Sequence, residues 1–195
     1  MNYTESLAYL DSLGKFGIKL GMDRIEGLLR ELGNPEQKIK TVHVTGTNGK
    51  GSVTSMITNI LLAANLKVGK FTSPHLVKYN ERINLNGKDI SDEDFAMAIT
   101  AVKVAADSVV KKGVCEQPTQ FEILTAAAFL YFYLQKVDYA VIEVGMGGLW
   151  DSTNVITPVV SVITNVALDH TDRCGKTLER IAMQKAGIIK EKVPL

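Results

Sequence analysis

The chain is 195 residues long, 46% hydrophobic and 22% charged, with a formal net charge of +1. A globular chain of that length buries roughly 70% of the surface its unfolded form exposes, enough for one domain with a genuine core. Its near-neutral balance supplies no field to draw it to nucleic acid or to an anionic membrane, so neither is expected as a partner and partners must be argued from sites.

Helical spacing covers Asn2 to Leu13 and Met22 to Leu32, and Gly33-Asn34-Pro35 ends the second helix with a C-terminal glycine and a breaker. The β-branched run Thr41 to Thr45 then predicts a buried parallel strand. It opens into Gly46-Thr47-Asn48-Gly49-Lys50-Gly51-Ser52, a glycine-rich turn followed by an apolar-periodic helix. This order of parts predicts a phosphate cradle. Glycines let backbone N–H groups converge on phosphate oxygens, the helix start adds about half a positive charge, and Lys50 supplies a full one. Asn48, Gly49, Lys50, Gly51 and Ser52 are the candidate nucleotide-binding residues, with Ser52 placed to ligate magnesium. The literal motif G-x-x-x-x-G-K-[ST] is not met, because Val44 stands where its first glycine would and Gly51 separates Lys50 from Ser52. The alternative is a glycine-rich turn that binds nothing.

Next comes a strand at Val68 to Phe71, followed by Ser73 before a proline, which is either a turn or a ligand at a strand end. Asn80 to Asn86, the Asn86-Gly87 pair and Lys88 to Ile90 predict a hairpin with a type I′ turn. Ser91-Asp92-Glu93-Asp94 caps a long helix, and Thr119-Gln120-Phe121-Glu122 forms a second capping box, sufficient by itself to account for both Thr119 and Glu122. The apolar-rich stretch near Leu124 to Leu134 is about half as long as a membrane span requires.

Tyr139 to Val144 and Val159 to Thr164 predict further parallel strands, and the alternation with helices predicts an α/β fold with a mostly parallel sheet. Glu143 interrupts the apolar run near a strand end, where an unpaired carboxylate would cost several kcal/mol, so a cation is expected to compensate it. His170 follows apolar residues that suggest a strand from Val162 to Ala167, and by itself reads equally as a hydrogen-bonded structural histidine. Lys185 lies on a helix starting near Thr177 and, taken locally, is a solvated lysine. Cys115 and Cys174 stand far apart without metal-ligand spacing, and the start of the chain does not read as a signal peptide, so reduced thiols in the cytoplasm are expected.

Seven blocks together resemble the Mur-ligase-like family, and within it the folylpolyglutamate synthases, some of which also act as dihydrofolate synthases. They are Thr45 to Ser52; Thr72-Ser73-Pro74-His75-Leu76 with Asn80-Glu81-Arg82-Ile83; Thr119 to Glu122; Glu143 to Gly148; Asp151 to Val155; Leu168 to Thr171; and Lys185 to Lys190. The resemblance implies an ATP-dependent ligase with a P-loop sheet that adds L-glutamate in γ-linkage to reduced folates through an acyl phosphate. It implies ATP and Mg2+ as cofactors, with Ser52, Ser73, Glu143 and His170 on the metal and Lys50, Glu143, His170 and Lys185 in the catalytic machinery. The lysine matching Lys185 is carbamylated in members of the family. Residues 1–195 then correspond to the N-terminal ATP-binding domain, acting as a monomer, with the C-terminal glutamate-binding domain of the family not represented. Two other functions use the same parts: a small-molecule kinase, and a non-catalytic nucleotide- or folate-binding remnant. The sequence departs from the family at Leu149-Trp150, where arginine and leucine are usual, at Cys174 in place of a leucine, and at Gln184 in place of a glutamate.

Overall fold

The computed structural model describes residues 1–14, 21–169 and 175–195. Helix α1 (Tyr3–Leu13) starts at a capping box in which Asn2 and Glu5 satisfy each other's backbone N–H groups. Helix α2 (Asp23–Glu31) stops at Gly33 and Asn34, both at positive φ, and a 3₁₀ turn (Pro35–Lys38) leads into β1 (Thr41–Thr45). Then follow α3 (Lys50–Ala63), β2 (Val68–Phe71), a 3₁₀ turn (Tyr79–Arg82), the hairpin β3 (Ile83–Leu85) and β4 (Lys88–Asp89), α4 (Asp92–Lys111) and α5 (Gln120–Leu134). The chain continues through β5 (Tyr139–Glu143), a 3₁₀ turn (Ser152–Val155), β6 (Val160–Ile163) and α6 (Leu178–Ala186).

Among the described residues six strands form one sheet, in the order β4-β3-β2-β5-β1-β6. Pairings β2–β5, β5–β1 and β1–β6 are parallel, and β3 and β4 extend the β2 edge antiparallel. Helix α3 covers one face, its Val53, Ile57 and Leu61 packing on Val42, Val44, Val68 and Val141. The other face carries the larger core, where Phe71, Ala140 and Ile142 meet α1, α2, α4 and α5. Helix α5 is the centre of that layer and is buried on nearly every side, which explains the apolar run from Leu124 onward without any bilayer. Among the described residues no helix is long and apolar enough to cross a membrane.

Two boundaries differ from expectation. Residues 80–82 belong to a 3₁₀ turn rather than to the hairpin, because the Glu81 carboxylate accepts the N–H groups of Leu76, Val77 and Lys78 at 2.8 Å each and winds the chain there. The hairpin itself turns at Asn86 and Gly87, at φ 51° and 80°, as a type I′ turn requires. Strand β6 ends at Ile163 and does not run to Ala167, because residues 164–167 turn to bond the loop after β1.

The register pairs Val44 with Glu143, Ile142 with Phe71, and Thr45 with Ile163, so the carboxyl ends of β1, β2, β5 and β6 share one edge of the sheet. The connection leaving β1 runs over one face through α3. The one leaving β5 crosses the other face through Ser152–Val155, whose Thr153 meets His43 of β1. Neighbouring strands whose chains depart to opposite faces leave a crevice between them, the usual place for a ligand in such sheets.

Candidate active site

The loop after β1 occupies that crevice. Gly46 sits at φ 156°, and a Cβ there would lie 1.8 Å from Thr164 Oγ1, so only glycine lets the two loops close on each other. Gly49, at φ 79°, begins α3 with no side-chain cap, leaving its first-turn N–H groups to an external acceptor. Lys50 Nζ donates to the carbonyls of Gly46 and Thr47, both at 3.1 Å, which fixes the cation over the loop.

Not every amide of the loop is available to a ligand. Thr47 N–H donates to the Asn165 carbonyl and Asn48 N–H to Asn165 Oδ1, each at 3.0 Å. Thr164 Oγ1 and Asn165 Nδ2 donate in return to the Asn48 carbonyl, while Thr47 Oγ1 and Ala167 bond each other. Residues 164–167 are therefore a brace that holds the cradle open in one shape. The N–H groups of the α3 start and the Lys50 ammonium are the donors that the brace leaves at the loop.

Glu143 ends β5 and is 4% exposed. One oxygen accepts the Ser73 backbone N–H at 3.1 Å, and a Cβ on Gly51 would lie 3.7 Å from both oxygens, so the carboxylate sits between the end of β2 and the first turn of α3. Burial raises its pKa, the Ser73 N–H and the fields of Lys50 and Lys70 oppose that, and Asp151 adds to it. The expected cation is thus supplied at a distance; no lysine or arginine forms an ion pair with Glu143 among the described residues. A buried carboxylate with one oxygen unengaged, beside a serine and a phosphate cradle, fits a hard cation that takes oxygen ligands and completes its shell with phosphates and water. Among the described residues no three His, Cys, Asp or Glu cluster as a self-sufficient metal cage.

Lys50, Gly51, Ser73 and Glu143 are thereby brought together, with Asn48 and Gly49 in the same loop and Ser52 exposed on the first turn of α3. His170 lies outside the described residues. Lys185 is not a solvated lysine: it is 5% exposed in the last turn of α6. That turn is packed against the loop following Glu143, with Leu149 N–H donating to the Gln184 carbonyl at 2.8 Å. A Cβ on Gly148 would lie 2.7 Å from that carbonyl, so the backbone contact depends on glycine. Trp150, in the same loop, is 48% exposed.

One group of residues escaped sequence reasoning. His43, in the middle of β1, places Nε2 2.8 Å from Thr153 Oγ1, and Thr153 Oγ1 is 2.5 Å from Asp151 Oδ1. The single hydroxyl proton of Thr153 goes to the carboxylate, so His43 Nε2 is the donor in the first contact and the ring is the Nε2–H tautomer. Nδ1 has no partner. Burial, with the field of Lys190 next, lowers the His43 pKa to about 3, so the ring is neutral. Asp151 in turn accepts Met146 N–H at 2.8 Å and Thr153 N–H at 3.0 Å, tying the loop after β5 to the core of β1. The available signal was the alternation Thr41-Val42-His43-Val44-Thr45, which puts three polar residues on one face of a buried strand.

The Mur ligase middle domain family matches residues 44–194. The chain is 45% identical over 194 residues to the dihydrofolate synthase/folylpolyglutamate synthase of Bacillus subtilis (strain 168), covering 99% of this chain and 45% of that protein. It is 47% identical over 195 residues to the folylpolyglutamate synthase of Lacticaseibacillus casei, covering 100% and 46%. Among solved structures, an FPGS–AMPPCP–folate complex superposes with a TM-score of 0.93 at 47% identity, covering 100% of this chain and 47% of that one. Mycobacterium tuberculosis folylpolyglutamate synthase complexed with ADP gives a TM-score of 0.87 at 37% identity, covering 96% and 42%. The chain spans a little under half the length of these proteins. A braced glycine-rich loop on a parallel sheet, a lysine over it, a buried carboxylate beside it and a family match across both place this chain in the Mur ligase middle domain family.

Proposed function

We propose that the chain is the ATP- and magnesium-binding half of an ATP-dependent ligase that adds L-glutamate in γ-linkage to reduced folates. The observation that carries this is the placement of Glu143 between Ser73 and the first turn of α3, beside Lys50, in a chain 47% identical to a folylpolyglutamate synthase. In this scheme the tail carboxylate of the folate attacks the γ-phosphorus of ATP and ADP departs, giving an acyl phosphate. The amine of glutamate then attacks the acyl carbon, phosphate leaves, and the amine proton passes to solvent or base. Lys50 and the α3 first-turn N–H groups bind the phosphates and neutralise charge on the transferring group, where most catalysis of phosphoryl transfer resides. Ser52 and Glu143 would hold one magnesium ion on the nucleotide, and Ser73, Glu143 and His170 a second near the acceptor carboxylate, where bound magnesium supplies further charge neutralisation. Lys185, buried in the last turn of α6, would serve as the carbamylated lysine of the family.

Residues 1–195 then act as the N-terminal domain, with glutamate bound by the part of the enzyme that the relatives have beyond this match. Cytoplasmic residence as a monomer completes the proposal, Cys115 being a free thiol. A chimera tests the function. Residues 1–195 are joined to the remaining portion of the Lacticaseibacillus casei enzyme and supplied with ATP, magnesium, labelled glutamate, and either a reduced folate or dihydropteroate. Label should enter the folate only when ATP and magnesium are both present. A folded chimera that binds nucleotide but transfers no label would favour a non-catalytic binding protein, and label-free phosphorylation of an acceptor would favour a kinase.

A further inference from the structure

A second cleft, of about 300 Å³, opens at the other end of the molecule and is lined by Glu26, Leu29, Arg30, Asn34, Glu36 and Gln37, with Val155 closing one side. The turn Pro35–Lys38 leads directly into the start of β1, whereas the phosphate loop leaves its end. A five-residue strand spans roughly 17 Å, so the two sites are separate.

Glu36 is 4% exposed, and its Oε2 has no hydrogen-bond partner among the described residues. A buried acceptor left unsatisfied is costly, and few native groups are left so without a reason. Burial raises the Glu36 pKa, opposed by its own backbone N–H, by the Gln37 side chain and by the field of Lys38. At the rim, Glu26 and Arg30 are exposed and neither makes an ion pair among the described residues.

The charges present choose among ligands. A purely cationic ligand would meet Arg30, and a purely anionic one would meet Glu26 and Glu36. A small zwitterion satisfies both signs: an ammonium donates to the free oxygen of Glu36, and a carboxylate takes the guanidinium fork of Arg30. Ligand pockets run from about 300 to 1,000 Å³, and this one, at the lower limit, suits a molecule far smaller than a nucleotide or a folate. We propose that the cleft binds a free α-amino acid, with its ammonium on Glu36 and its carboxylate at Arg30. The proposal is independent of the ligase function, since no residue of the phosphate loop takes part.

The test is a titration of the isotopically labelled 195-residue chain, followed by amide chemical shifts, with glycine, L-glutamate, putrescine and succinate as separate probes. Saturable shifts at the amides of Leu29, Asn34, Gln37 and Val155 with glycine or L-glutamate, and none with putrescine or succinate, are expected. Glu36→Gln and Arg30→Ala should each weaken the interaction about tenfold, and Lys50→Ala should leave it unchanged. Arg30 is exposed on α2, so its replacement leaves the fold intact and keeps the test decisive even if Glu36→Gln does not fold. Absence of saturable shifts with both amino acids, an equal response to putrescine or succinate, or binding indifferent to Arg30→Ala would overturn the proposal.

Discussion

Glu143 stands in the α3–β2 crevice at an energetic disadvantage. Burial raises its pKa above the ordinary carboxylate value, so at neutral pH the native state holds an anion it solvates poorly. A group whose folded pKa is raised contributes stability at low pH and loses it as pH rises through the folded value. Replacement by the neutral isostere should therefore leave stability at pH 7 unchanged or higher, while magnesium-dependent turnover of the chimera falls by about 100-fold or more. Thermal unfolding and steady-state rates on Glu143→Gln measure both; a clear loss of stability with activity retained would make the residue structural. His43 titrates with the opposite consequence. Its folded pKa, about 3, lies below the ordinary histidine value near 6.5, so the unfolded chain binds a proton that the native chain refuses. The stability this represents is complete above about pH 6.5 and is lost as pH falls toward 3, at up to about 1.4 kcal/mol per pH unit. His43→Gln keeps a donor for Thr153 and should flatten that part of the urea-midpoint profile; an unchanged slope would mean that the ring is protonated or solvated in the native state. The alternation around His43 marked a polar face of the strand, but its partner could not be named from it, because Thr153 lies 110 residues away. The burial of Lys185 was hidden for the same reason, since it depends on the packing of residues 148–149 against the end of α6.

At the scale of elements, short-range signals were legible and contacts between elements were not. The capping box at the start of α5 was evident from Thr119 and Glu122, and both reciprocal bonds are present. The sequence could not show that the same Glu122 carboxylate also meets Arg24 of α2 at 3.1 Å, with the two side chains 1% and 11% exposed. The two roles differ in magnitude. Loss of a cap hydroxyl costs about 1 kcal/mol, whereas removal of one partner from a buried ion pair costs roughly 3 to 5. Thr119→Ala should therefore lower stability by about 1 kcal/mol and Glu122→Ala by about 3 or more. Urea denaturation of the two variants decides, and equal effects would show that the ion pair with Arg24 adds nothing to the cap. The end of β6 was misjudged by the same limitation. Val166 and Ala167 suggested that the strand continues, yet the hydrogen bonds of residues 164–167 go to the loop after β1, a destination that only the sheet order creates.

Across the whole molecule, the parallel order β2-β5-β1-β6 carries three separately recognised sequence blocks to one edge. Ser73 after β2, Glu143 at the end of β5 and the loop after β1 meet there because the register aligns their strand ends. The fold class and the glycine-rich turn between β1 and α3 could be read locally, since a β-branched run, glycines and a helix start lie within about a dozen residues of one another. Their convergence with Glu143 follows from the topology. The amides of Thr47 and Asn48 are already engaged by Asn165, so under the proposed function nucleotide affinity would rest on Lys50 and the uncapped start of α3. Reaction further requires reactants to be held in line in a water-poor site, which can supply roughly 7 to 11 kcal/mol of barrier lowering. Residues 1–195 assayed by themselves, without the portion that binds glutamate in the proposed function, should thus bind nucleotide weakly and form no folylpolyglutamate. The most direct measurement is a titration of the 195-residue chain and of Lys50→Ala with magnesium and AMPPCP, followed by amide shifts and by calorimetry. Weak, saturable, magnesium-dependent binding with shifts concentrated at residues 46–52 and 164–167, abolished in Lys50→Ala while its spectrum stays folded, is the predicted result; no saturable binding, or binding that Lys50→Ala leaves intact, would contradict it.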